Sequence, residues 1–297
     1  MKKSEFYTIL LFFLILSCNE KVKKEDAYSM GTIPCQGQPS YLAQTGLNPQ
    51  SSALSTSEKK IKGLVLIELI KSPSGITRGK TWQHKSWSRY GWMGPITTDD
   101  RGNSYVAPVP VINVIDNPKE KQNIIYKVDS HTAEMAPLIE LPVTPVVNHE
   151  NPYGLLGLYF DCDARILYAS SIFGSDKNNE RGIIYAIDPQ KRKVIDSFKS
   201  IDGMGLCVGG ISGQKRLYIG SGRNSNVYSI ELLKNGKFTG PLKEEFSLDM
   251  FGPRGDDKAR KIRFDRNGNM LVAGIEFNYN LAAASEKQET TYRFMYN

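Results

Sequence analysis

Ile262-Arg263-Phe264-Asp265-Arg266-Asn267-Gly268-Asn269-Met270-Leu271-Val272-Ala273-Gly274 contains two strands and the turn between them. The stretches on either side of Asp265–Asn269 read as the first and second strands of one unit. The Asn and Gly between them supply the positive φ that a tight β-turn requires. Asp100-Arg101-Gly102-Asn103 offers the same turn chemistry far upstream, so the hairpin is not an isolated event.

Working outward, four units share one grammar of strand, tight turn, strand, longer loop and strand. The second strands are Ser104–Ala107, Leu167–Ser170, Leu217–Gly220 and Leu271–Gly274, and the third are Ile125–Asp129, Ile184–Asp188, Val227–Glu231 and Thr291–Phe294. A fourth, outer strand follows in three units, at Leu138–Leu141, Val194–Phe198 and Glu245–Leu248. The markers Tyr105, Tyr168, Tyr218 and Leu271 are spaced by 63, 50 and 53 residues, too irregular for a solenoid but suited to a ring of sheets with variable loops. Small residues (Ala107, Ala169, Gly220, Ala273) close each second strand, as expected where neighbouring sheets crowd. The pattern predicts an all-β fold, a β-propeller of four-stranded antiparallel blades.

The last unit has only three strands, so N-terminal strands are expected to close the ring. Gly63–Ile70 and Lys80–Ser86, with a Pro73-Ser74-Gly75 bend between them, are the expected closure. Four units plus this material give five blades, or six if residues 31–60 hide weak strands. The propeller is assigned to residues 61–297.

The Ile262–Gly274 phrase resembles the blade motif of the NHL-repeat and gluconolactonase-like propellers, the senescence marker protein family, with weaker copies at Ile96–Ala107 and Leu158–Ala169. The resemblance covers roughly residues 90–297 and speaks to fold. It includes lactonases, esterase-like enzymes and pure binding scaffolds, so it does not choose an activity.

At the other end of the chain, Lys2 and Lys3 precede an uninterrupted apolar run, Tyr7–Leu16. Ten residues are half of what a bilayer-spanning helix needs, and the charges from Glu20 onward prevent its extension. The run ends in Ile15-Leu16-Ser17-Cys18, which resembles the lipobox of bacterial lipoprotein precursors. That resemblance implies a signal peptide over residues 1–17, cleavage after Ser17 and lipid on the Cys18 sulfur. Residues 18–60 then form a lipidated tether and a poorly patterned segment. Export to the bacterial cell envelope is expected, held by lipid at the outer membrane or periplasmic face.

The full chain carries 38 Lys+Arg against 31 Asp+Glu, and loss of residues 1–17 leaves 36 against 30. The positive charge is spread without a basic block, which argues against nucleic acid as a partner. The expected partners are the membrane, through Cys18, and a glycan, peptide or envelope protein. Besides Cys18 there are Cys35, Cys162 and Cys207. Reading Leu156–Phe160 and Gly205–Ile211 as innermost strands puts Cys162 and Cys207 about 20 Å apart, too far for a disulfide. Both are expected as free buried thiols; Cys35 reaches one of them only if the N-terminal stretch packs across that face.

In a propeller, the loops entering each innermost strand share one face with the loops joining second to third strands. The candidates for ligand binding on that face are Trp92, His149, Glu150, Tyr153, Arg223, Asn224 and Arg254. His149-Glu150 offers titratable groups near neutrality, although adjacent residues in an extended loop point apart and no nucleophile motif accompanies them. The aromatic group Trp82, Trp87, Tyr90 and Trp92 reads either as a stacking platform for sugar rings or as packing of the closing strands. Gluconolactonase-like enzymes hold one divalent cation such as Ca with oxygen ligands, and Asn178, Asn224, Asp257 and Glu276 are of the right types, although Asn and Asp are also common in turns. Two functions stay open: a binding lipoprotein, and a metal-dependent hydrolase of lactones or esters.

The lipid assignment has a direct test. Replacing Cys18 by Ala should abolish incorporation of a clickable fatty acid and release the protein from membranes; continued labelling of the variant would refute it.

Overall fold

The computed structural model describes residues 37–58, 60–73, 75–110, 114–143, 151–210, 214–265, 267–281 and 288–295. It is an all-β, five-bladed propeller whose five antiparallel sheets stand in a ring. Blade one is β1 (Ser52–Ser55), β2 (Val65–Ser72) and β3 (Gly75–Trp82). Blade two is β4 (Met93–Thr98), β5 (Ser104–Pro108), β6 (Ile124–Val128) and β7 (Met135–Glu140). Blade three is β8 (Leu155–Asp161), β9 (Ile166–Ser171), β10 (Ile183–Asp188) and β11 (Lys193–Lys199). Blade four is β12 (Gly203–Gly209), β13 (Arg216–Ser221), β14 (Asn226–Leu232) and β15 (Phe238–Ser247). Blade five is β16 (Lys258–Phe264), β17 (Met270–Ile275) and β18 (Thr290–Phe294). Strands within each sheet pair in chain order.

The hairpin turns are wired as the sequence predicts. In blade two, the Asp99 carboxylate accepts the amides of Arg101 and Asn103, each at 2.9 Å, and also the Asn103 side-chain amide and the Tyr105 hydroxyl. In blade five, Asp265 accepts the amides of Asn267 and Asn269 and the Asn269 side chain in the same way. Gly102 (φ 78°) and Gly268 (φ 80°) occupy the left-handed position of each turn, which glycine adopts without penalty.

The core lies between blades. Every residue of β5 and β9 is buried, whereas the outer strand β11 is only half-buried. Tyr105 of blade two stacks on Phe160 of blade three at 5.6 Å, and Tyr218 of blade four meets Phe264 of blade five edge-on at 5.5 Å. The Tyr168 hydroxyl of blade three donates to the Gly236 carbonyl of blade four at 2.8 Å, so its polar end is satisfied. Burial of each such side chain contributes about 1.5–3 kcal/mol. Between blades one and two, Leu64, Leu66 and Trp87 pack with Met93, Val106 and Val128.

Three features differ from the sequence expectation. First, the propeller begins before residue 61. β1 lies in the stretch read as poorly patterned, and Ser52, Ala53, Leu54 and Ser55 pair with Glu68, Ile67, Leu66 and Val65. Its four residues, Ser-Ala-Leu-Ser, are all half-buried, so they show no alternation to read. Second, β1–β3 close the ring as a blade of their own; they do not add to the sheet of β18, which pairs only with β17 among the described residues. β1 also runs against the other inner strands. Ser52–Leu54 share a cavity with Ile96–Thr98 and Phe160 at one end of the axis, and Leu54–Ser57 share another with Gly94–Thr97 and Leu156 at the other end. Third, Cys162 is disulfide-bonded. It sits half-buried in the turn after β8, packed against the core between blades two and three, and its partner lies outside the described residues. Cys207 is the free, buried thiol expected, and burial pushes its pKa up to about 12.

Close approach near the axis gives a stability test. A Cβ on Gly220 would overlap the Ala259 carbonyl oxygen and come within 2.7 Å of the Ala259 Cβ. Gly220→Ala should therefore lower the unfolding free energy by about 2 kcal/mol, read from urea denaturation; an unchanged midpoint would mean that the blades are not packed this closely.

Candidate binding site at the mouth of the central channel

Two kinds of loop end on one face of the ring: those entering the inner strands and those joining second to third strands. The buried carboxylate Asp202, immediately before β12, gathers several of them. Ser175 donates to Asp202 Oδ1 at 2.5 Å and the Gly182 amide at 2.9 Å, both from the β9–β10 loop. Tyr279, from the β17–β18 loop, donates to Oδ2 at 2.7 Å, and Arg223, from the β13–β14 loop, lies 3.8 Å away. Glu180 accepts the Asp202 amide at 2.9 Å. Burial raises the Asp202 pKa above the usual carboxylate range, although the Ser175 and Tyr279 hydroxyls pull the other way. Burial and the neighbouring Asp202 push Tyr279 up as well.

Asp257 occupies the equivalent position before β16 and is likewise fully buried. Its surroundings reverse the sign. Burial would raise its pKa, but hydrogen bonds from Arg254 and Tyr292 hold the carboxyl below its usual range. Arg254 forks onto both Asp257 oxygens and reaches Thr290 Oγ1 at 2.7 Å, while the Tyr292 hydroxyl donates to Oδ2 at 2.7 Å. Each aspartate thus fastens the start of an inner strand to the loops beside it.

On the loop face an aromatic group packs against Val109 and Leu156 of the channel wall. Tyr153 and Phe277 lie 5.6 Å apart, Phe277 and Tyr279 5.4 Å, and the Tyr153 hydroxyl donates to the Asn280 carbonyl at 3.2 Å. Asn151 positions Tyr153 by accepting its amide and donating to the Ile172 carbonyl, each at 2.9 Å. Beneath lies a cavity of about 410 Å³ lined from all five inner strands, including Leu54, Ile96, Leu158, Met204 and Ile262. Arg260 and Lys261 are the charged residues of its wall, and Glu289 lies 3.5 and 2.8 Å from their cationic groups. A second cavity of about 450 Å³, at the hairpin end, shares Leu54, Ile96, Thr97 and Tyr159 with the first.

The candidates read from sequence distribute unevenly over this geometry. Tyr153 and Arg223 lie at the mouth. Arg223 also donates to the carbonyls of Asp176 and Lys177 at 3.0 and 2.8 Å, joining the loop of Asn178 to its own. Arg254 and Asp257 form the ion pair just described. Asn178 and Asn224 serve turns: the Asn178 amide donates to Asp176, and Asn224 bridges Ser221, Asn226 and the Tyr228 hydroxyl. Glu276 is half-buried at the end of the β17 region. Among the described residues no three His, Cys, Asp or Glu side chains gather as a metal site. Trp92 is buried beside Asn117, which accepts its amide at 2.8 Å and donates to its carbonyl at 3.0 Å. Trp82 and Trp87 pack edge-on at 5.2 Å, and Tyr90 lies 4.3 Å from Tyr126, so these aromatics serve the blade interface. Cys18, Cys35, His149 and Glu150 lie outside the described residues. Sequence reasoning assigns no site role to Asp202, Ser175 or Tyr279. Aligning the repeats at Asp202 and Asp257, each directly before an inner strand, supplies the missing signal.

No protein-family model matches this sequence, nor does any curated protein. Solved structures with a similar chain path include one in a nidogen/laminin complex, at 12% identity and a TM-score of 0.46 over 71% of this chain and 66% of that one. A GH43 β-1,3-galactosidase with galactodeoxynojirimycin is similar at 7% identity and TM-score 0.46 over 80% and 83%. The PQQ-bound aldose sugar dehydrogenase of Streptomyces coelicolor is similar at 12% and 0.46 over 86% and 77%. The chain spans about two-thirds of the nidogen/laminin chain it matches, and 61% of a hydrazine synthase chain. Likeness at this level concerns fold and leaves the chemistry to the residues themselves.

The Arg254–Asp257 pair predicts a pH-dependent mutational cost. Arg254→Met should cost about 3–5 kcal/mol at neutral pH, because it leaves a buried carboxylate uncompensated. A carboxyl whose folded pKa is depressed stabilises above its unfolded value and loses that contribution on acidification. The penalty of Arg254→Met should therefore be smaller at about pH 4 than at neutral pH, because burial, no longer opposed by the guanidinium, favours the protonated Asp257 carboxyl. Urea unfolding of both proteins at the two pH values checks this; an equal penalty at both would rule out the charge pairing as its source.

Proposed function

We propose that this chain is an envelope-anchored binding propeller that takes a glycan, a peptide or a segment of a partner protein at its loop face. The axial cavity receives the group that enters. The observation that carries this reading is the cavity itself, whose volume of about 410 Å³ lies in the range of small-molecule sites. Its wall combines aliphatic side chains with the hydroxyls of Ser55, Thr56, Ser57, Thr97 and Tyr159 and the cationic Arg260 and Lys261, and among the described residues the lining contains neither a carboxylate nor an imidazole. Such a wall suits holding an apolar or anionic group; general acid–base hydrolysis requires a proton-transfer residue within reach of the substrate.

The lipobox-like Ile15–Cys18 supports attachment to the envelope through lipid. The resemblance of Ile262–Gly274 to NHL-repeat and gluconolactonase-like blades agrees with a scaffold whose variable loops carry recognition. The metal-dependent hydrolase alternative draws no support from Asn178, Asn224 and Asp257, which the fold engages in turns and an ion pair.

Screening the mature protein against glycan and peptide arrays tests the proposal. Each ligand found is then retested on Leu158→Trp, which fills the cavity. Binding should weaken by at least about tenfold, or about 1.4 kcal/mol, with the thermal midpoint nearly unchanged. Equal binding by the filled variant would move the site off the channel. Turnover of lactones or esters by the wild-type protein would replace the binding reading with a hydrolytic one.

A further inference from the structure

We infer that Cys162 is bonded to Cys35, and that this cystine fastens the start of the folded chain across the hairpin end of the channel. Of the four cysteines, Cys207 is a free buried thiol and Cys162 is disulfide-bonded, which leaves Cys18 and Cys35 as its partner. The position of the first described residues selects between them. The Gly37 amide donates to the Asp99 carbonyl at 2.9 Å, and a Cβ on Gly37 would come within 2.5 Å of the Gly102 amide nitrogen. Gly37 therefore lies on the β4–β5 turn. That turn is joined to the β8–β9 turn by Arg165, whose Nη1 lies 2.9 Å from both oxygens of Asp100. Cys162 belongs to the same β8–β9 turn, three residues before Arg165. Cys35 stands two positions before Gly37, a reach of at most about 7 Å, whereas Cys18 stands nineteen positions before it, so chain connectivity favours Cys35 as the partner of Cys162.

The bond has a place in the cavity architecture. Gly37, Gln38, Pro39 and Leu42 form one wall of the hairpin-end cavity, and Tyr159 and Phe160, just ahead of Cys162, form another. A Cys35–Cys162 cystine ties those walls together and closes a loop of 127 residues. Its formation converts two thiols to one disulfide, releasing two protons and passing two electrons by thiol–disulfide exchange to a disulfide oxidant of the exporting compartment. The inference thus shares with the proposed function only its assignment of an oxidising location.

Peptide mapping of the exported wild-type protein, alkylated before reduction and cut with trypsin, reads the bond without a variant. The expected product joins residues 25–59, which contain Cys35, to residues 128–165, which contain Cys162, while residues 200–215 carry alkylated Cys207. A link from residues 128–165 to a Cys18 peptide, or direct alkylation of Cys162, would overturn the inference. Cys35→Ala and Cys162→Ala should each lower the thermal midpoint by about 5–15 °C, and the double variant should lower it no further. Additive losses would show that the two sulfurs act separately. Fatty-acid labelling of Cys18 in the same preparation reports on anchoring independently, so failure of one reading leaves the other assessable.

Discussion

Convergence of five sheets on one axis is the constraint from which the rest of this molecule follows. Blades that splay apart at the rim crowd together at the channel, where backbone meets backbone. Gly220 exists because the Ala259 carbonyl occupies the space of its side chain. Toward the hairpin end of the same two strands the gap widens and aromatic rings fill it, as with Tyr218 against Phe264 and, between blades two and three, Tyr105 against Phe160. The change from glycine to aromatic follows the spacing between neighbouring blades along their strands, and close packing makes each step costly to alter.

Polar residues hold the two ends of this apolar wedge. On the hairpin face, Asp99 and Asp265 fold their turns by accepting backbone amides, which satisfies groups that would otherwise be stranded between strands. On the loop face, Asp202 and Asp257 reach between loops. Their similar positions and opposite electrostatic surroundings are instructive: one relies on hydroxyl and amide donors with a guanidinium at 3.8 Å, the other on a forked guanidinium. A repeated backbone site does not impose repeated chemistry. The loops decide it, which is also why such a scaffold accepts different ligands without changing its core.

Repetition made most of the fold legible. Tyr105, Tyr168, Tyr218 and Leu271 mark second strands, each followed by the expected third strand. What repetition could not mark was the part that departs from it. β1 is short, uniformly half-buried and reversed relative to the other inner strands, so neither period nor alignment identifies it. Composition likewise misdirects where burial is decided at long range. The tryptophans that stand out in sequence are mostly interior packing, while Asp202 and Tyr279, 77 residues apart, meet only through the ring. Cys162 shows the same limit: strand register excluded Cys207 as its partner, but not the arrival of another segment at its turn.

The reversed first strand bears on how the ring assembles. Blades two, three and four are meanders whose strands pair with sequence neighbours, so their contacts form from local chain at small cost in loop entropy. Blades one and five come from opposite ends of the chain, and their junction has no covalent neighbour to guide it. Meeting there requires the intervening blades to have set the curvature first. The seam between the ends is thus the junction of the ring that depends most on contacts distant in sequence.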